Sequence, residues 1–268
     1  HNGNVSNGFM FAEETLAGKP FDKSYAEARA RWEPVYEVTQ VKGDGEAHPF
    51  LSPDDEFADF ETWDDDNIGR TVPKQNSMLK HEYARSALKL GLELQDKIGV
   101  NPYEFALIGS TDSHTTLSTA DDDNFWGKFK DSEPSDERLT NKMGGTLWYN
   151  WKLAASGYAA IWARENTREA LFDALKRKEV YATTGPRIAL RFFGGWNYSE
   201  NDLYAPNMAD IGYNQGVPMG ARLPESNAGE SPKFMIHALK DPDGANLDRA
   251  QIVKGWINEK GESEERVF

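Results

Sequence analysis

The chain has 268 residues, of which 30 are Lys or Arg and 44 are Asp or Glu, so its formal net charge is −14. This charge argues against binding to nucleic acid or to anionic membrane surfaces, and no apolar run approaches the roughly 20 residues of a membrane span. The sequence contains no cysteine, which excludes disulfides, thiolate metal sites and a Cys nucleophile. An aromatic content of 12% is too high for a disordered chain, so we expect a folded protein.

The first 186 residues are predicted to be α/β. In chain order, the patterns predict helices over 24–32, 52–63, 77–98 and 167–178, and strands over 35–41, 105–108 and 180–184. The helix over 77–98 has the clearest pattern, because its apolar residues recur at three- and four-residue steps. Residues 115–146 are polar and irregular, and a loop of that length is typical of a lid or a binding loop.

From residue 187 onward the composition changes. Gly, Pro and Asn become frequent, and short strands are predicted over 188–193, 234–239, 252–257 and from 266 to the end. Turn-forming residues at 241–244 and 258–261 separate these strands. We therefore expect an α/β unit over 1–186 and a small all-β module over 187–268.

Asp112 and His114 are the strongest candidates for carrying chemistry. They follow the predicted strand over 105–108, and side chains two residues apart on a strand point to the same face. At the carboxyl end of a parallel barrel strand, that face is turned towards the mouth of the active site. A carboxylate and an imidazole together suit a divalent transition metal. An Asp that caps the next segment, beside a surface His, would explain the same pattern.

A second set of candidates surrounds the predicted strand over 35–41. Glu37 is a candidate metal ligand or base, and Lys42 is a candidate for holding an anionic substrate. Gln40 and Glu46 are further candidates for contacting the substrate. Alternation places Glu37 on one face and Gln40 with Lys42 on the other, but the pattern does not tell which face lines a site. An ordinary strand that enters a hairpin gives the same sequence.

His1 is a candidate metal ligand. It stands in a loop rich in Asn and Gly, with no helical face to pack against, and a loop imidazole without a function would look the same. Arg187 follows the predicted strand over 180–184. It can bind an anion or pair with one of the many carboxylates.

Several segments together resemble a known bacterial family. They are HNGN at 1–4, SNG at 6–8, VTQVKG at 38–43, PDDEF at 53–57, GSTDSH at 109–114, NFWG at 124–127, ENTREAL at 165–171 and YATTGPR at 181–187, and the match continues through QIVKGW at 251–256. This sequence resembles the family catalogued as domain of unknown function 3604. That family in turn resembles the polymerase-and-histidinol-phosphatase (PHP) superfamily and metallohydrolases related to carbaryl hydrolase.

The resemblance implies a distorted seven-stranded βα barrel with two or three divalent ions, such as Mn, Zn or Fe, at its C-terminal mouth. The last ligands of that superfamily are a D-x-H pair, which corresponds to Asp112 and His114, and a further His ligand corresponds to His1. We therefore expect these three side chains to converge on one cation. The superfamily also has an H-x-H pair on its first strand, which this sequence lacks. That absence fits a chain that begins partway through the barrel. It would also fit a catalytically inactive relative of the superfamily.

The resemblance therefore implies metal-assisted hydrolysis of a small anionic or ester substrate, which by analogy with the superfamily is a phosphoester. Metal would supply hydroxide at neutral pH, Asp112 would bind or bridge metal, and Lys42 or Arg187 would orient an anionic group such as phosphate. The 115–146 segment would form a lid in which Trp126 excludes water. Phosphate, sulfate, carbamate and carboxyl esters all stay open as substrates, and a periplasmic or secreted location is expected.

The alternative class is a carbohydrate- or peptide-binding module. Tryptophans would then form a platform, and the Asp runs would hold Ca²⁺. The tryptophans in question are Trp63, Trp126, Trp148, Trp151, Trp196 and Trp256.

Overall fold

The computed structural model describes residues 1–114, 116, 128–129, 132, 135–143, 148–153, 157–226 and 229–268. Its helices are α1 (Lys23–Trp32), α2 (Asn76–Leu79), α3 (Ala84–Ile98), α4 (Arg168–Arg177), α5 (Glu200–Leu203) and α6 (Met208–Gln215), with a 3₁₀ turn at Asn150–Lys152. Its strands are β1 (Val35–Gln40), β2 (Gly43–Asp44), β3 (Ala106–Gly109), β4 (Tyr158–Ile161), β5 (Val180–Thr183), β6 (Ala189–Gly195), β7 (Gly216–Pro218), β8 (Lys233–Leu239), β9 (Val253–Ile257) and β10 (Ser263–Val267).

A parallel pair of strands forms the centre of the N-terminal part. Strands β1 and β3 run parallel, with Val35 opposite Ala106 and Thr39 opposite Gly109, and β2 adds to β1 in the antiparallel direction. The antiparallel pair β4–β5 lies beside β3. A side chain at Gly109 would come within 2.7 Å of the Tyr158 carbonyl oxygen, so glycine permits this close approach. The carboxyl ends of β1 and β3 consequently meet at one edge.

Helix α3 covers this parallel pair with an apolar face. Ala87, Leu90 and Leu94 recur at helical spacing and pack with Tyr36 and Val38 of β1 in the largest buried cluster. Gly99 ends the helix in a left-handed conformation, as its position after the last apolar residue predicts. The amphipathic helix that the sequence predicts thus holds β1 in place, and with it the edge of the sheet.

The helix predicted over 77–98 is interrupted. Helix α2 ends at Leu79, and α3 begins only at Ala84. Between them, the fully buried carboxylate of Glu82 binds Lys74 Nζ at 2.7 Å and the backbone N–H of Gly8 at 2.9 Å. A buried carboxylate needs such partners, and reaching them takes this segment out of the helical path.

The helix predicted over 52–63 is not formed, and turns occupy this segment. The carboxylate of Asp55 accepts a hydrogen bond from the Phe57 backbone N–H at 3.0 Å and binds Arg85 at 2.5 Å. Side-chain bonds of this local kind compete with helical backbone bonds. The sequence Ser52-Pro53-Asp54-Asp55 is typical of a helix start, but here it forms a turn.

The C-terminal part is not purely β, so the expectation of an all-β module over 187–268 is wrong in that respect. Helices α5 and α6 pack on the antiparallel sheet β7–β6–β8, and Phe193, Tyr198, Met208 and Met235 form its core. The sequence analysis does not predict α6, because this helix is only eight residues long and has a glycine, Gly212, in its interior. The hairpin β9–β10 packs on α3.

The described parts of the chain form small separate sheets in a mixed α/β arrangement and include no closed barrel. The PHP-like barrel and the division at residue 186 stay predictions. None of the helices in these parts combines the length and the apolar character that crossing a membrane requires.

Arg85 joins the closing hairpin to the N-terminal part. Its guanidinium lies 2.5 Å from Asp55 Oδ2 and 2.5 Å from Glu265 Oε1, and all three side chains are largely buried. Removing one partner of a buried ion pair leaves the other charges uncompensated. The packing of the β9–β10 hairpin on α3 therefore depends on this arginine.

We predict that Arg85→Ala lowers the free energy of unfolding by about 3–5 kcal/mol. The measurement is urea unfolding followed by tryptophan fluorescence. The matched control is Lys97→Ala, because Lys97 is largely exposed and lies 4.0 Å from Glu93, and we expect a change of about 0.5 kcal/mol or less. Equal midpoints for Arg85→Ala and wild type would contradict the proposed role.

Candidate functional site

Asp112 and His114 come together, but not on a strand. Strand β3 ends at Gly109, so the expectation that the two share a strand face is wrong. Both residues instead adopt left-handed backbone conformations, with φ values of 47° and 55°, and His114 Nε2 lies 2.9 Å from Asp112 Oδ1. Left-handed backbone at non-glycine residues costs on the order of 1 kcal/mol or more and concentrates at functional sites.

Two lysines bind the carboxylate of Asp112. The Nζ atoms of Lys42 and Lys128 both contact Asp112 Oδ2, Lys128 at 2.7 Å, and Lys128 also donates to the Asp112 backbone carbonyl. The side chains of Lys42 and Lys128 are 3% and 6% exposed, whereas that of His114 is 54% exposed. We call these four residues the Asp112 cluster. It presents an imidazole to solvent above two buried ammonium groups.

The electrostatics of the cluster are dominated by burial and by the paired lysines. Burial, followed by the neighbouring ammonium of Lys128, lowers the pKa of Lys42 to about 7, and the Glu37 carboxylate opposes this shift. The ion pair with Asp112 also favours the protonated form of Lys42. Burial and the two ammonium groups lower the pKa of His114 as well, which favours its neutral imidazole.

Glu37 lies next to the cluster. Ser110 donates a hydrogen bond to Glu37 Oε1, and the backbone nitrogen of His1 lies 3.7 Å from Glu37 Oε2. The N-terminal segment is held at this edge by the buried amides of Asn2 and Asn4, which donate to the carbonyl oxygens of Gly43 and Lys42 at 2.9 and 3.0 Å. The segment that contains His1 is therefore placed at the carboxyl end of β1.

The imidazole of His1 does not complete a metal site in this structure. Its side chain is 70% exposed, and within the described ranges there is no group of three or more His, Asp or Glu residues that can hold a metal ion. Asp112 and His114 therefore stand as a pair. The predicted convergence of all three side chains on one cation is not assembled here.

Gln40 and Glu46 lie outside the Asp112 cluster. Gln40 is buried, and its Oε1 accepts a hydrogen bond from the Lys42 backbone N–H at 3.2 Å, so it braces the turn that carries Lys42. Glu46 lies 4.0 Å from Arg85 and belongs to the ion cluster that holds the closing hairpin. Neither arrangement places the side chain against Asp112.

Arg187 is exposed on the loop before β6. Its guanidinium lies 5.9 Å from the centre of the Tyr158 ring, and its backbone N–H binds Asp241. Trp126 and most of the predicted lid over 115–146 lie outside the described residues. The structure brings Glu37, Lys42, Asp112 and His114 to one edge, and Arg187 is not among their contacts.

Sequence reasoning missed Lys128. It stands in a polar loop with other charged residues, and no spacing or motif distinguishes it from a solvated lysine. Its contact with Asp112 bridges 16 positions of chain. Its one link to the site in the sequence is that Lys128 lies within the segment over 115–146, which is predicted to form a lid.

One of the Asp runs and two of the tryptophans behind the binding-module alternative have structural partners, whereas the run 121–123 and Trp126 lie outside the described residues. Each carboxylate of the run 64–66 pairs with its own basic side chain: Asp64 with His48, Asp65 with Lys152 and Asp66 with Arg70. Trp63 and Trp148 pack against each other, with ring centres 4.8 Å apart, beside the buried Val41. Both features stabilise the fold around the site.

The donor atoms of the cluster are of the types that divalent transition metals bind. A carboxylate oxygen and an imidazole nitrogen are ligands that such ions take, and they lie within one short loop. Asp112 and His114 would supply two of the ligands, fewer than the three protein ligands of a typical catalytic zinc site.

Comparison with known proteins finds one family. The whole chain, residues 1–268, matches the family described as "Protein of unknown function (DUF3604)". Neither a curated protein nor a solved structure matches the chain.

We predict that Lys128→Met raises the pKa of Lys42. The substitution removes a neighbouring ammonium whose repulsion favours the neutral form of Lys42. The measurement is a pH titration of ¹³Cε-labelled lysine by NMR, with the Lys42 signal assigned from Lys42→Arg. The control is Lys19→Met in an exposed turn, which leaves the titration unchanged. A Lys42 pKa that stays the same or falls in Lys128→Met would show that the two ammonium groups do not interact.

Proposed function

This chain belongs to the DUF3604 family, and from that premise we propose that it is a metal-dependent hydrolase that acts on ester bonds of small anionic substrates. The observation that carries the proposal is the meeting of Asp112, His114, Lys42 and Glu37 at the carboxyl edge of the parallel strands β1 and β3. In α/β proteins, that edge is where ligands bind. The resemblance of the sequence to the PHP superfamily supports the same reaction class.

Asp112 and His114 would hold the metal. A bound Mn, Zn or Fe ion lowers the pKa of its water ligand to about 7 and so supplies hydroxide at neutral pH. For both side chains to ligate the same ion, His114 Nε2 would have to exchange its contact with Asp112 Oδ1 for the metal, because Nδ1 faces away from that carboxylate. The left-handed backbone at both residues holds their side chains towards one another.

Lys42 and Lys128 would bind the negative charge of the substrate. Their ammonium groups are buried, so little water competes for them, and electrostatic interactions are stronger in such surroundings. They would orient the anionic group of the ester and stabilise the charge that grows on its oxygen atoms during hydrolysis. Phosphate and sulfate esters carry such a charge, whereas neutral carboxyl esters and carbamates do not, so the lysines favour the charged esters.

Glu37 and Ser110 would complete the polar wall of the site. The Ser110 hydroxyl donates to Glu37, which fixes the orientation of the carboxylate next to the two lysines. Glu37 favours the charged forms of both Lys42 and Lys128. Its role in this proposal is to keep the ammonium groups protonated while they hold the substrate.

We predict that Asp112→Asn and His114→Ala each reduce hydrolysis by about 10²–10⁴-fold, the range expected for loss of a group that acts on the reacting atoms. Turnover would be measured with chromogenic phosphate, sulfate, carbamate and carboxylate esters in the presence of Mn²⁺, Zn²⁺ or Fe²⁺. The matched control is Asp248→Asn, because Asp248 is 75% exposed, pairs with Arg249 and makes no described contact with the Asp112 cluster.

Metal content would be measured on the same proteins by mass spectrometry. We expect bound metal in the wild type, a reduced amount in both site variants and an unchanged amount in Asp248→Asn. Wild-type metal content and turnover in both site variants would contradict the assignment of Asp112 and His114. Absence of metal-dependent turnover of every ester by the wild type would contradict the hydrolase itself.

A further inference from the structure

A groove of about 750 Å³ lies in the C-terminal part of the chain. Its floor is the exposed half of the β6–β8 sheet, where Ala189 stands opposite Leu239 and Arg191 opposite His237. Directly opposite residues of an antiparallel pair share one face. Two positions further along the same face, Phe193 and Met235 are buried beneath α6. The helix therefore covers one half of the face and leaves the other half open.

The wall of the groove is formed by Trp162 on one side and by the turn between α5 and α6 on the other. Trp162 is fixed, because its Nε1 donates to the Leu190 carbonyl at 2.9 Å. On the opposite side, Tyr204 is 83% exposed and free to cover a ligand. We call this site the Arg191 groove, and its described lining consists of Trp162, Ala189, Arg191, Leu203, Tyr204, Ala205, Pro206, Met208, Ala209, Ile236, His237, Ala238 and Leu239.

Arg191 is held in position with part of its guanidinium unused. Its Cζ atom lies 3.3 Å from the centre of the Trp162 ring, and its Nη1 donates to the Tyr213 hydroxyl at 2.8 Å. Among the described residues, Nε and Nη2 of Arg191 have no hydrogen-bond partner. A planar guanidinium that is already fixed loses little entropy when it binds a carboxylate through two N–H groups.

The charge around Arg191 is not balanced. The nearest carboxylate is Glu179, which lies 4.0 Å from Arg191 Nη1 but also binds Arg177 at 3.1 Å and accepts from Tyr213. Two guanidinium groups thus share one carboxylate. The described residues of the lining include an arginine and a histidine but no Asp or Glu, although the chain carries 44 acidic residues. An anion is the ligand that complements this charge.

From this geometry we propose that the Arg191 groove binds a small organic acid with an apolar, ring-sized body. The carboxylate of the ligand accepts from Nε and Nη2 of Arg191. Its body lies on the apolar floor between Leu203, Ala189 and Leu239, and Tyr204 closes over it. This site is separate from the Asp112 cluster and does not depend on the proposed hydrolase activity.

The test is isothermal titration calorimetry of the chain with 2-naphthoate, a two-ring carboxylate of suitable size. We expect one site per chain with a Kd on the order of 0.1 mM, as ligand-efficiency limits allow for a molecule of this size. The uncharged analogue 2-naphthamide should bind at least tenfold more weakly. Failure of the wild type to bind 2-naphthoate, or equal binding of the amide, overturns the proposal.

Substitutions at two positions, Arg191 and Leu239, locate the binding site. Arg191→Gln should weaken binding at least tenfold, and Arg191→Lys, which keeps the charge but loses the planar fork, should lie between Gln and wild type. Since Arg191 packs on Trp162 and its loss can disturb the fold, Leu239→Glu tests the second position. Leu239 is 56% exposed on the floor, so a glutamate there should repel the carboxylate without loss of stability.

The matched control is Leu247→Glu, because Leu247 is 44% exposed and lies outside the groove. It should bind 2-naphthoate as the wild type does. Unchanged binding by Leu239→Glu places the ligand elsewhere and overturns the proposal. Self-association that Leu239→Glu abolishes, measured by sedimentation velocity, also overturns it, because the groove is then the contact between two copies.

Discussion

One carboxylate, that of Asp112, organises the candidate site. It receives the ammonium groups of Lys42 and Lys128 and the ring nitrogen of His114, which come from the end of β1, from residue 128 and from the loop after β3. Two buried ammonium groups so close together repel each other, and they remain there because one negative charge lies between them. Removing that charge would leave the lysines uncompensated in a buried place. The geometry of the site and the protonation of its lysines therefore depend on the same residue.

The position of Asp112 follows from the sheet beneath it. The parallel pairing of β1 and β3 brings Lys42 and the loop after Gly109 to one edge, and the Val41 N–H donates to the Thr111 carbonyl across the gap at 3.3 Å. Helix α3 fixes β1 through the buried contacts of Tyr36 and Val38. The closing hairpin in turn lies on α3 through Arg85. Burial in the core and two buried ion clusters thus keep a strained loop in place.

The sequence predicts those parts of the structure that depend on local interactions. The N-cap of α4 at Thr167, the left-handed end of α3 at Gly99 and the short apolar strand that becomes β3 all follow from residue type and spacing. The expected helix over 52–63 fails because Asp55 binds Arg85, thirty positions away. No local pattern encodes a contact of that kind.

The candidate site shows the same division between local and distant effects. The D-x-H spacing identifies Asp112 and His114 correctly as neighbours, but for the wrong reason, since their side chains meet through left-handed backbone rather than along a strand. Residue types indicated Lys42 and Glu37 as candidates. Lys128 was not predictable, because only the folded loop brings its ammonium to Asp112.

The charge of the cluster sets a condition on what it binds. The carboxylates of Asp112 and of the neighbouring Glu37 balance the two lysines, so the cluster together with Glu37 is close to neutral when both lysines are protonated. A divalent cation added to this group would create a positive excess in a buried place, which is unfavourable unless negative charge accompanies it. An anionic substrate supplies that charge, and so would loss of a proton from Lys42, whose pKa is lowered to about 7. In the proposed hydrolase, cation and anionic ester would therefore bind with positive cooperativity, each one increasing the affinity of the site for the other.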